Sequence, residues 1–134
     1  MKRIFIDTAP LIYITENSGV LFSKTYTQLQ NWIQNDNSLF SSVLTLTELL
    51  IHPIKTNNVA LENSYTYLLK SILSEPLIAI DEQISVKAAF YRAKYNIRTP
   101  DALQIAAAVT HACDIFFTND KKLKKISDIK VLTL

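Results

Sequence analysis

The sequence is poorest in the residues on which many enzyme classes depend. It holds one glycine, Gly19, so the Gly-rich phosphate loops of nucleotide-binding folds cannot be written, and neither ATP nor NAD is expected as a ligand. One cysteine, Cys113, excludes an intrachain disulfide; it is expected to be a buried structural thiol in a reducing compartment. Only His52 and His111 are present, so no H-E-x-x-H pair exists and a Cys/His zinc site is not expected, which leaves hard oxygen ligands for any metal. The H-x-C spacing of His111 and Cys113 lacks partners, and both are expected to be buried near a helix end. No apolar run approaches the roughly 20 residues of a membrane-spanning helix. The start of the chain shows no signal-peptide pattern, so a cytoplasmic location is expected, with no membrane partner.

What is present is 134 residues, 49% hydrophobic, without a linker or repeat: enough for one domain over residues 1–134 with a sizeable core. The formal net charge of +2 decides nothing about a polyanionic partner, because local clusters matter as much as the total. Arg3 to Ile6 reads as a short buried strand, followed by a helical piece near Leu11 to Thr15 and an amphipathic helix from Leu21 to Gln34. Leu39 to Ser42 is a second strand, and Leu44 to Ile51 a helix halted by Pro53. Val59 to Leu73 is helical, and Leu77 to Ile80 follows Pro76 as an apolar strand. Ile84 to Tyr95 and Pro100 to Ala112 are two further helices, the second with Thr99 as N-cap and Pro100 at its first position. Ile115 to Phe117, a short basic helix from Asp120 to Lys125, and a strand from Ile129 to Leu132 complete the chain. Short apolar strands alternating with helices predict an α/β fold whose parallel sheet is covered on both faces, with the functional site beyond the carboxyl ends of the strands.

Four acids fall where that edge should lie: Asp7 after the first strand, Glu48 in the helix after the second, Asp101 at a helix start and Asp120 after the strand Ile115 to Phe117. Each has a structural explanation. Asp7 suits an Asx-turn or helix cap, Glu48 a capping box with Thr45, and Asp120 a cap of the basic helix. Asp101 suits the positive end of its helix, an interaction of roughly 0.3–1 kcal/mol. Separate capping does not require all four to converge on one sheet edge. Clustered carboxylates repel one another until a divalent cation restores their charged forms. Magnesium or manganese, with a few carboxylates, waters and a substrate phosphate, is the matching ion, and phosphodiester hydrolysis the matching reaction.

At these residues the sequence resembles the PIN-domain nucleases, particularly the VapC-like ribonuclease toxins of toxin-antitoxin pairs. FIDTAPLIYI looks like the family's first strand and acid, and SSVLTLTELL like its S-x-x-T-x-x-E region. IRTPDALQIAAA resembles the R-x-x-D-A region and FFTNDKKL the T-x-D region, and the matches span nearly the whole chain. The resemblance implies a three-layer α/β/α sandwich with a mostly parallel central sheet, an RNA substrate, a cognate antitoxin and a homodimer. It makes Asp7, Glu48, Asp101 and Asp120 the catalytic quartet, with Asp7, Asp101 and Asp120 nearest the metal and Glu48 acting through water or as a proton acceptor. Thr118 would support the cluster with its hydroxyl, with Thr8 and Asn119 as further supporting groups.

Among the cations, Lys121, Lys122, Lys124 and Lys125 could steer an RNA backbone or form a solvated face. Arg98 could contact phosphate with its guanidinium or orient the acids through a salt bridge. Trp32, Tyr65 and Tyr91 follow helical apolar spacing and read as core or interface residues rather than base-stacking ones; Tyr67 is not read as a binding residue either. Two other readings compete. A haloacid-dehalogenase-type phosphatase also places Asp after its first strand, but Ala9 stands where its second acid belongs. A catalytically silent binding module would keep the fold alone, against which the four retained acids argue.

Overall fold

The computed structural model describes residues 1–17 and 19–134. Four strands, β1 (Arg3–Ile6), β2 (Ser38–Phe40), β3 (Ile115–Thr118) and β4 (Lys130–Thr133), form one sheet in the order β2-β1-β3-β4. All three pairings are parallel. Six helices pack around the sheet: α1 (Thr8–Glu16), α2 (Gly19–Gln34), α3 (Val43–Lys55), α4 (Val59–Ile72), α5 (Glu82–Tyr95) and α6 (Thr99–Thr110). A 3-10 turn, Lys121–Lys125, precedes β4. The result is the expected three-layer α/β/α sandwich around a parallel sheet, and among the described residues no helix is long and apolar enough to cross a membrane.

Continuous apolar strands bury both faces of the sheet because successive side chains point to opposite sides. From β1, Phe5 enters the core shared with α5 and α6, whereas Ile4 and Ile6 enter the core shared with α1 to α4. β3 repeats the division: Phe116 joins Phe5, and Ile115 and Phe117 join the isoleucines. In register with each other, Phe5 and Phe116 stack with ring centroids 5.3 Å apart. On the opposite face Trp32 meets Phe117 edge-on at 4.9 Å, so it is a core residue, as are buried Tyr65 and Tyr91.

Several expectations need correction. Leu77 to Ile80 makes no strand; Ile78 forms only an isolated parallel bridge with Ser42. The cause lies in its partner, since β2 ends at Phe40 and α3 takes over at Val43, leaving almost no extended backbone to pair with. Pro53 does not halt α3, which runs to Lys55. Standing in the last turn, the proline forfeits one donor to the Leu49 carbonyl, and the helix closes through Thr56 N–H to the His52 carbonyl at 3.1 Å. Helix α6 starts at Thr99 with Arg98, not Thr99, as N-cap, because the Arg98 carbonyl already accepts from Ala102 N–H at 2.9 Å. His111 is exposed rather than buried, its carbonyl taking two bonds from the Arg3 guanidinium at 2.8 and 3.1 Å. Cys113 is buried, and loss of solvation pushes its thiol up to about 11.

Candidate active site

The two central strands, β1 and β3, end side by side, and strand order reverses around them. Parallel sheets open a crevice at such a point. Asp7 follows β1 directly, held to the sheet by its N–H bonding the Phe117 carbonyl at 2.9 Å. Its backbone is extended and its Oδ1 accepts from Thr8 N–H at 2.8 Å, so it does cap α1. Capping occupies only that oxygen. Oδ2 accepts from the Thr118 hydroxyl at 2.8 Å, and the same Thr118 oxygen accepts from Asp120 N–H at 3.2 Å. One buried hydroxyl thus sets the ends of β1 and β3 relative to each other.

Thr8 does the corresponding work toward α3. It is buried, and its hydroxyl donates to Glu48 Oε1 at 2.7 Å. The capping box between Thr45 and Glu48 is not made: the N-cap of α3 is Ser42, whose Oγ accepts from Leu44 N–H at 3.1 Å. Glu48 therefore lies in the second turn of the helix, with its carboxylate free to turn toward α1. Asp120 caps the 3-10 turn through Lys122 N–H at 3.0 Å.

Asp101 is buried in the first turn of α6. Arg98 grips it with Nε on Oδ2 at 3.0 Å and a weaker second contact from Nη2 to Oδ1 at 3.4 Å, fulfilling the salt-bridge reading. The guanidinium is held more firmly protonated by Asp101 first, and also by the charges of Asp120 and Glu48. One exposed arginine thus pairs directly with Asp101. Half-buried Asp7 is raised from the ordinary 3.8 to about 6, chiefly because the surrounding protein strips solvent from it, with Asp101 and Glu48 adding repulsion; the bonds from Thr118 and Thr8 oppose the shift without cancelling it. Hydrogen bonds thus link Asp7 to the Asp120 backbone through Thr118 and helix α1 to Glu48 through Thr8, while Asp101 is held by Arg98, and Asp7 is left reluctant to ionise.

Among the described residues, no three His, Cys, Asp or Glu side chains are arranged to close on a single ion. The donor set still suits a hard cation. Magnesium characteristically binds through one or two carboxylates and keeps its remaining positions for water and phosphate, so a closed cage is not required. The oxygen donors Asp7 and Asp120, joined through Thr118, are of the type such an ion takes.

The remaining candidates are more loosely tied to the cluster. Asn119 spends its amide on the Tyr13 hydroxyl at 2.8 Å rather than on an acid. Lys121, Lys122, Lys124 and Lys125 are all exposed around buried Leu123, the face of a short turn open to solvent. Sequence reasoning missed Tyr13, and also the buried pairing of Ser41, Ser42 and Thr45 with Gln104, although Ser42 and Thr45 fall in the S-x-x-T-x-x-E region. The available signal was Gln104 itself, the one strongly polar side chain in the otherwise apolar stretch ALQIAAAV.

The PIN domain family model matches residues 4–129. Among solved structures, VapBC2 from Rickettsia felis bound to a promoter DNA fragment matches over 98% of both chains, with a TM-score of 0.80 and 17% identity. FitAcB from Neisseria gonorrhoeae matches over 96% of both chains, with a TM-score of 0.73 and 20% identity. VapBC-1 from nontypeable Haemophilus influenzae covers 98% of this chain and 97% of its own, with a TM-score of 0.75 and 16% identity. At such identities the likeness is one of fold. A search of curated proteins gives no match. With the family model spanning β1 through the segment before β4, the chain belongs to the PIN domain family.

Proposed function

We propose that this chain is a magnesium- or manganese-dependent endoribonuclease, the toxin of a toxin-antitoxin pair. The observation that carries the catalytic reading is the linkage around Asp7: Thr118 ties it to the Asp120 backbone and Thr8 ties its helix to Glu48, while loss of solvation, with smaller repulsion from Asp101 and Glu48, raises its pKa. The capping roles of Asp7 and Asp120 do not account for the bonds that tie their strand ends together through Thr118, nor for the bond from Thr8 to Glu48.

Asp7, Asp101 and Asp120 would hold the cation, which when bound supplies neutralisation of phosphate charge and a more acidic water. The side chains have separable tasks. Thr118 and the Thr8 N–H each occupy one oxygen of Asp7, fixing the plane of its carboxylate. Glu48 uses Oε1 for Thr8, which leaves Oε2 to accept a proton from the attacking water. Arg98, largely exposed, is placed to move its fork from Asp101 to a substrate phosphate, with Lys121 and Lys122 supplying weaker attraction to the backbone.

The toxin role rests on those solved structures that are named as toxin-antitoxin complexes, such as that from Klebsiella pneumoniae, similar at 22% identity and a TM-score of 0.73. A cognate antitoxin and a homodimer belong to this reading, as does a cytoplasmic setting that keeps buried Cys113 reduced. The phosphatase alternative has no support from the site, since Ala9 offers no second acid.

The direct test is cleavage of a mixed RNA substrate with and without Mg2+ or Mn2+. Wild type is expected to cut only with the metal, and Asp7→Asn and Asp101→Asn to lose at least about a hundredfold in rate while keeping their circular dichroism. Full cleavage by both variants would remove the site from the mechanism; a metal-independent wild-type activity would remove the cation.

A further inference from the structure

Behind the acids, four polar side chains are sealed from solvent: Ser41 at 1% exposure, Ser42 and Thr45 at 0%, and Gln104 at 2%. Burying so many polar atoms is tolerated only if each finds a partner, and these find one another. Gln104 Nε2 donates to Thr45 Oγ1 at 2.7 Å, while Gln104 Oε1 accepts from the Ser42 hydroxyl. Ser41 Oγ lies 2.9 Å from the Ile6 carbonyl and 2.8 Å from Thr45 Oγ1. A serine has one hydroxyl proton; given to the carbonyl, it leaves Thr45 to donate to Ser41. The bonds then run in one direction, from Gln104 through Thr45 and Ser41 to the backbone of β1.

Each end of this relay lies next to an acid. Gln104 stands one turn beyond Asp101 on α6, Thr45 one turn before Glu48 on α3, and Ile6 immediately before Asp7. An amide presents a donor and an acceptor at once, so it matches Thr45 and Ser42 in a single rotation and height of α6 against α3. An apolar side chain would fill the space but accept neighbouring offsets.

We infer that Gln104 is a positioning residue for the acidic cluster, acting through Ser42 and Thr45 to hold Asp101 in fixed register with Glu48 and Asp7. This rests on reading the cluster as a divalent-ion nuclease site. Gln104 touches no reacting atom in this role; it determines where Asp101 stands.

The experiment compares Mn2+ affinity by calorimetry, and RNA cleavage kinetics, in the full chain and three variants. Gln104→Met keeps the bulk and removes the pairing; it is expected to weaken Mn2+ binding about tenfold or more and to lower kcat with KM for RNA nearly unchanged. Ile105→Val, a buried neighbour on the same helix, softens the packing without touching the relay and is expected to bind Mn2+ like wild type. Thr45→Val attacks the relay from α3, repeats the loss expected of Gln104→Met, and carries the test should that variant fail to fold. Wild-type Mn2+ affinity in Gln104→Met or Thr45→Val overturns the inference, as does an equal loss in Ile105→Val. Wild-type chain that binds Mn2+ but cuts no RNA refutes the ribonuclease reading while the affinities still decide the role of Gln104. Wild-type chain that binds no Mn2+ refutes both.

Discussion

Asp7 is asked to cap a helix, accept a hydroxyl and carry charge in a crevice shared with other acids, and these roles conflict. Its raised pKa has a consequence for stability whose direction is fixed by linkage. Below the unfolded value of 3.8 the carboxyl is protonated in both states; as pH rises the unfolded chain releases the proton first, and the folded chain follows at about 6. Folding therefore loses stability across that window, and above it carries the full penalty of a poorly solvated charge. Asp7→Asn, free of metal, is thus expected to gain on wild type by about 1–2 kcal/mol between pH 4.5 and pH 8, measured by urea denaturation at both values. An advantage that shrank as pH rose would contradict the burial of charge at this position. The same conflict explains what was legible at this scale. Acids at strand and helix ends announce themselves through local rules, and Arg98 lies close enough in sequence to Asp101 for their pairing to be anticipated. The partners of Gln104 lie 59 and 62 residues away, so its place in an apolar stretch marks it as unusual without naming what it pairs with.

At the scale of elements, periodicity located every helix and the four strands of the sheet, because both depend on apolar spacing within one segment. It failed where an element's fate lay in its neighbour. Ile78 is apolar enough for a strand but has only Ser42 beside it, and Pro53 reads as a breaker although a helix that ends two residues later loses only one bond to it. Helix α2 contains another feature invisible to spacing: Thr25 is fully buried, and its hydroxyl finds no partner among the described residues. A threonine in that state loses hydration without replacement, whereas valine fills the same volume with a methyl group. Thr25→Val is expected to stabilise the chain by about 1 kcal/mol, raising Tm by roughly 3–5 °C without altering metal affinity. A lower Tm would show that the hydroxyl has a partner after all.

For the whole molecule, the parallel sheet gathers acids from segments far apart in sequence and leaves their repulsion to be relieved by something outside the chain's own carboxylates. Arg98 answers part of this demand, but a largely exposed ion pair contributes at most about 1 kcal/mol. A cation that binds the folded crevice and not the unfolded chain stabilises by mass action, about 2.7 kcal/mol at a hundred times its dissociation constant. Wild type at pH 8 is therefore expected to melt on the order of 5–10 °C higher with saturating Mn2+ than with chelator. At pH 5 the proton on Asp7 competes with the ion, since its pKa of about 6 lies above that pH, so the same Mn2+ concentration should give a smaller rise. Asp101→Asn should lose most of the rise at pH 8 while remaining folded in chelator. Differential scanning calorimetry of both proteins at both pH values checks the whole pattern. An equal rise in the variant would place the ion elsewhere on the fold, and an equal rise at pH 5 and pH 8 would detach Asp7 from its binding.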